Sequence, residues 1–127
     1  MKLTTRNLSV SIGDVIVCHG LDLTIEAGSR WAILGVNGVG KTTLLTTLAG
    51  LRPPDDGQIL IDDIALASLS PRERARRLGL MAQEDSFHIS DPETTALDVA
   101  LLGRLPHLDW WRGESAHDVQ LAHTALA

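Results

Sequence analysis

Gly35-Val-Asn-Gly-Val-Gly-Lys-Thr-Thr43, GVNGVGKTT in one-letter code, decides how this chain is read. Gly35 is followed by four residues, Val36, Asn37, Gly38 and Val39, and then by Gly40, Lys41 and Thr42, the spacing of a loop built to hold phosphates. Glycines at 35, 38 and 40 let the backbone curl so that successive N–H groups face inward, at the positive end of a helix dipole. A side chain at those positions would obstruct the ligand. Lys41 sets an ammonium against the outer phosphates, the Thr42 hydroxyl is expected to ligate the Mg²⁺ that bridges them, and Thr43 supports the next turn of helix. The flanks agree with a strand, loop and helix in that order. Trp31 to Leu34 is a short, continuous apolar run that reads as a strand buried on both faces of a parallel sheet, with Trp31 in the core. KTTLLTTLAG reads as a helix with Leu44, Leu45 and Leu48 on one face and Gly50 as its stop. Two other readings compete: a simple glycine-rich turn with an exposed lysine, and a dinucleotide fingerprint. The latter begins at Gly38-x-Gly40 but finds Thr43 where it needs glycine.

Outward from the loop, LSVSIGD and LDLTIEAG alternate apolar and polar residues and predict an antiparallel pair turned at Gly13-Asp14 and ended by Gly28. After the Pro53-Pro54-Asp55-Asp56-Gly57 turn cluster, Ile59 to Ile61 predict another short strand. Ser70-Pro-Arg-Glu73 combines a cap, a proline at the first helical position and a glutamate three residues after the cap, so a short helix should run through Arg77. GLMAQ is a strand candidate, residues 84 to 93 an acidic loop, and Ala96 to Arg104 a helix with Leu97, Ala100 and Leu101 on one side. SAHDVQLAHTALA opens with Ser115 and Asp118 in capping-box spacing and is expected to stay helical to its end.

The bulk numbers are those of a folded chain. Its 127 residues are 44% hydrophobic and 21% charged, and Lys+Arg 11 against Asp+Glu 16 gives a net charge of -5, a balance that a phosphate backbone repels. That argues against nucleic acid as the main partner. The one cysteine, Cys18, has no internal partner, and the start MKLTTRNLSV lacks a signal-peptide core, which points to the cytoplasm. No apolar run approaches the ~18 residues of a membrane-spanning helix, so a membrane role is expected to be peripheral.

AGSRWAILGVNGVGKTTLLTTLAGL, PDDGQILIDD and LGLMAQED resemble, in order and spacing, the phosphate loop, following β-hairpin and Q-loop of ATP-binding cassette (ABC) transporter nucleotide-binding domains. The resemblance implies an α/β P-loop NTPase fold of ABC type: an antiparallel β region over 1–29, the core from P-loop to Q-loop over 30–83, and the start of the helical subdomain over 84–127. It implies ATP and Mg²⁺ as ligands, Gln83 near the metal and the attacking water, transmembrane permease subunits and a second ATP-binding subunit as partners, and a place on the cytoplasmic face of the membrane. LLGRLPH, ending at His107, further resembles importers of iron-siderophore complexes, haem or vitamin B12. Arg104 and His107 read equally well as solvated residues closing a helix.

The chain departs from the family pattern at Ile12, where the family usually stacks adenine on an aromatic; losing that stacking should weaken base binding by roughly 0.5–1.5 kcal/mol. The family's signature motif, Walker B aspartate, catalytic glutamate and switch histidine are expected beyond Ala127, so little or no ATPase activity is expected of these residues alone. ILIDD, residues 59 to 63, imitates a Walker B run, but the resemblance makes Asp62 and Asp63 a hairpin turn. The alternatives are a non-hydrolysing module, binding nucleotide or docking on a transporter, and a non-transport ABC ATPase.

Overall fold

The computed structural model describes residues 1–81, 93–109, 111 and 113–127, and the chain divides into two compact units, Met1–Leu80 and Met81–Ala127. In the first unit, β1 (Leu3–Ile12) and β2 (Val15–Ile25) pair antiparallel about the Gly13-Asp14 turn, as the alternation predicts. β3 (Asp56–Ile61) pairs with the other edge of β1, and β4 (Ile64–Ala65) folds back on β3, giving the order β2-β1-β3-β4. The β3–β4 turn is Asp62-Asp63, with φ of 48° and 63°, the left-handed pair that a tight two-residue hairpin requires. Asp62 is tied there, its Oδ1 accepting from the Lys2 amide at 2.7 Å. The acidic pair is therefore the hairpin turn that the resemblance implies.

One face of this sheet carries the core, with Leu8, Val10, Ile59 and Ile61 buried beneath α1 (Lys41–Leu48) and Leu66. Helix α1 meets that face differently from expectation. Leu48 is buried and Leu44 half-buried, but Leu45 is 44% exposed and Thr47 takes the inward position. Residues 44, 47 and 48 share a face through the i, i+3, i+4 spacing, whereas 45 lies a full step of rotation away. Thr47 tolerates burial because its Oγ1 donates to the Thr43 carbonyl at 2.8 Å.

Trp31 to Leu34 is the larger correction. The segment forms no strand, and Trp31, Ile33 and Leu34 are 59%, 39% and 90% exposed, so Trp31 is not a core residue. A strand buried on both faces needs a hydrogen-bonding neighbour and two covering layers. The four described strands pair only with one another, which leaves this run with neither. In the strand candidate GLMAQ, residues 79–81 are likewise not a strand, and Ala82 and Gln83 lie outside the described residues. Helix α2 (Pro71–Arg77) completes this unit and starts at the expected Ser70–Glu73 capping box.

Among the described residues, the second unit is built on two α-helices. α3 (Ala96–Leu102) stops two residues before the expected Arg104, passes into a 3₁₀ turn at Leu105–His107, and packs against α4 (Ala116–Leu126). α4 opens at the expected Ser115–Asp118 capping box, and α3 opens at a second box, Thr95–Asp98, that the sequence reading did not single out. Arg104 is not a free surface residue: its Nε donates to Asp118 Oδ1 at 2.8 Å, joining the end of α3 to the start of α4.

Candidate phosphate-binding site

The loop Gly35–Thr43 enters α1 through Gly40, whose φ of 96° lies in the left-handed region. A Cβ at Gly40 would lie 2.5 Å from Val17 Cγ2 of β2, so glycine is required there twice over, by backbone and by space. Gly38, with φ of 82°, faces open space, and a Cβ at Gly35 would press on Val39 Cγ1 at 3.0 Å. One weak turn, Val39 N–H to the Val36 carbonyl at 3.4 Å, closes the tip formed by Val36, Asn37 and Gly38. Helical bonding begins only at Leu44, whose amide donates to Gly40 at 2.9 Å. The amides of Gly40, Lys41, Thr42 and Thr43 are the four orphan donors of a helix start. Among the described residues they have no carbonyl or side-chain acceptor, and the first turn contains no acidic residue.

Lys41 folds back over this opening. Its Nζ donates to the carbonyls of Gly35 and Val36, both at 2.8 Å, which seats the ammonium on the loop backbone. The Thr42 hydroxyl is exposed and takes part in no hydrogen bond among the described residues, while the Thr43 carbonyl accepts from both Thr46 and Thr47 hydroxyls and so stiffens the first turn. Four unpaired donors, one ammonium and one free hydroxyl, with no carboxylate in the loop, fit a polyphosphate and its Mg²⁺. Lys41 and the amides would hold the phosphates, and Thr42 would ligate the metal. The bound metal supplies charge neutralisation at the phosphate oxygens. The loop holds no histidine or carboxylate that could move a proton, and Gln83 lies outside the described residues. Asp62 and Asp63 are committed to their turn and to Lys2.

Val17 is the site residue that sequence reading passed over. It fixes where the loop meets the hairpin, and only the strand register reveals that it faces Gly40. Ile12, at the position where an aromatic was expected, is 46% exposed at the end of β1.

The fold and the glycine loop together define the P-loop class of proteins. The chain belongs to the ABC transporter family, whose profile matches residues 18–126. It is 41% identical over 126 residues to the hemin import ATP-binding protein of Myxococcus xanthus, covering 99% of this chain and 45% of that protein. It is 35% identical to the petrobactin import ATP-binding protein of Bacillus anthracis, over 98% of this chain and 45% of the relative. With the probable siderophore transport system ATP-binding protein of Bacillus subtilis it shares 34% identity, over 98% and 44%. The chain thus spans about half the length of the curated relatives it matches. Among solved structures, an ATP-binding cassette in a post-hydrolysis state with ADP and Pi shares the fold, with TM-score 0.75 and 22% identity over 98% of this chain and 55% of that one. No described helix is long and apolar enough to cross a membrane.

Proposed function

We infer that residues Gly35–Thr43 bind MgATP, with the amides of 38–43 and Lys41 on the phosphates and Thr42 on the metal, and that Gln83 approaches the same metal and the attacking water. The observation that carries this reading is the start of α1, which leaves four backbone donors unpaired beneath a lysine already seated in the loop. The function is that of an ATP-binding subunit of an importer for an iron-siderophore, haem or cobalamin-like substrate. The names of three relatives, all import or transport ATP-binding proteins, support it. The subunit works with transmembrane permease subunits and a second ATP-binding subunit, from the cytoplasmic face of the membrane. ATP hydrolysis belongs to that intact assembly, because among the described residues the loop has no general base beside it; the chain alone turns over little or no ATP.

The test is a titration of the folded chain with Mg-nucleotide while the backbone amide resonances of residues 35–43 are followed. Shifts confined to these residues and to their hairpin neighbours, abolished in Lys41→Ala, are the expected result. Unmoved resonances in a folded sample would sink the reading. Steady phosphate release that disappears in Lys41→Ala would instead overturn the statement that hydrolysis needs the assembly.

A further inference from the structure

At the end of α1 away from the phosphate loop, the first unit holds a second concavity. It encloses about 340 Å³, the size of a small-molecule site, between the last turn of α1, β3 and the 3₁₀ turn Leu66–Ser68. Buried Ile59 and Leu66 line its depth, and Leu51, 72% exposed, stands bare at its mouth beside Pro53 and Pro54. The chain passes here through Gly50, whose φ is 73° and whose Cβ, if it had one, would lie 2.9 Å from Leu66 Cδ2 and 3.4 Å from Arg74 Cδ. Glycine at that position is what lets Arg74 of α2 close on the backbone at the edge of the cavity.

Two arginines line the cavity, and their charges are met differently. Arg52 donates through Nη2 to the Ser11 carbonyl at 2.6 Å and stands near Asp55, whose carboxyl is held below its ordinary range first by the Ser11 hydroxyl and also by Arg52. Arg74 has no such answer. Its Nη1 donates to the Gly50 carbonyl at 2.9 Å, its Nε is buried with no acceptor, and among the described residues no carboxylate pairs with the guanidinium. A buried donor left unpaired is costly, and a guanidinium takes a carboxylate through two parallel hydrogen bonds. An aliphatic cavity edged by an unanswered guanidinium suits an anion with an apolar tail.

We propose that this cavity binds a small carboxylate with an aliphatic body. The body lies against Ile59, Leu66 and Leu51, and the carboxylate meets Arg74, whose guanidinium pivots on its bond to Gly50 so that Nε gains the acceptor it lacks. The proposal is independent of the phosphate-binding reading of Gly35–Thr43. A monocarboxylate rather than a phosphate is the fitting head, because Arg74 brings the only cationic charge in the cavity that no described carboxylate already meets.

The experiment titrates the full chain with octanoate, octanol and acetate and follows the backbone amides together with the arginine Nε–H resonances. Octanoate should bind at least about tenfold more tightly than acetate, which lacks the apolar body. It should also bind about tenfold more tightly than octanol, which lacks the charge, and should shift the Arg74 Nε–H signal. Arg74→Gln should weaken octanoate about tenfold and leave octanol unchanged. Ala67→Trp, at an exposed lining position, keeps the arginine and should block octanoate and octanol alike, so it decides the matter if Arg74→Gln does not fold. Octanol that binds as well as octanoate, or an unmoved Arg74 Nε–H signal at saturation, overturns the role of the arginine. Octanoate binding that survives Ala67→Trp, or that tripolyphosphate displaces, overturns the cavity as its site.

Discussion

Ser70, Thr95 and Ser115 each turn a hydroxyl onto the amide three residues ahead and receive a carboxylate from that residue in return, so α2, α3 and α4 all begin with two backbone donors satisfied from within. Gly40 has no side chain to offer, and α1 begins with its donors open and a lysine folded across them. The same backbone problem has two answers in one chain. Three helix starts carry an acidic residue that neutralises the dipole; at α1 the acid is absent, and in the function proposed above the charge of the bound phosphates takes its place.

The strongest attack on this contrast is Gly40→Ala. A side chain at φ 96° that also meets Val17 must shift the loop or the hairpin, so a loss of more than about 2 kcal/mol is expected, read by denaturant unfolding together with loss of tripolyphosphate binding. Lys41→Ala comes next. It should weaken nucleotide binding by about 10- to 100-fold, the value of charge-assisted hydrogen bonds to phosphate, while stability falls by no more than about 1 kcal/mol for the lost bonds to the Gly35 and Val36 carbonyls. An equal loss of stability would mean that the lysine serves the loop rather than the ligand.

The capped starts should answer in the opposite way. Ser70→Ala, in the same compact unit as the loop, should cost about 1 kcal/mol of stability and leave tripolyphosphate binding untouched. Mild acid should have the smallest effect. The cap hydroxyls of Ser70, Thr95 and Ser115 hold the carboxyls of Glu73, Asp98 and Asp118 below their ordinary range, and for Asp118 the Arg104 guanidinium adds to the effect. A folded pKa below the unfolded one means that the stabilisation is complete above the ordinary carboxyl range, near 3.9–4.3, and fades as pH falls from there through the folded values. Protection of the amides at the starts of α2, α3 and α4, measured against their intrinsic exchange rates, should therefore fall below about pH 4, while the start of α1, which has no acidic group in its first turn, shows no such step. A parallel acid response at α1 would erase the distinction.

Much of this was legible in the residue order because it is local. The loop, the Gly13-Asp14 turn, the Asp62-Asp63 turn and the boxes at Ser70 and Ser115 are each decided by a few consecutive residues, through backbone angles and hydrogen bonds that close within one turn. The box at Thr95 has the same Thr-x-x-Asp pattern and could have been read too. Leu45 was misplaced because three leucines at 44, 45 and 48 look like one stripe until the helix is seen to set a threonine against the sheet.

What distant contacts decide was out of reach. Arg104 finds Asp118 fourteen residues away, and Arg52 and Asp55 find Ser11 across more than forty. Val17 faces Gly40 only because of where β2 lies beside α1. Trp31 to Leu34 carries the apolar composition of an inner strand, yet composition cannot supply the neighbouring strand and covering layers that would bury it. The sequence by itself determined the chemistry of the phosphate loop and the places where helices and turns begin, since those follow from short-range sterics and hydrogen bonding. The tertiary structure alone decided which apolar residues are covered and which lie bare beside the loop, because burial belongs to pairs of surfaces and not to a residue type.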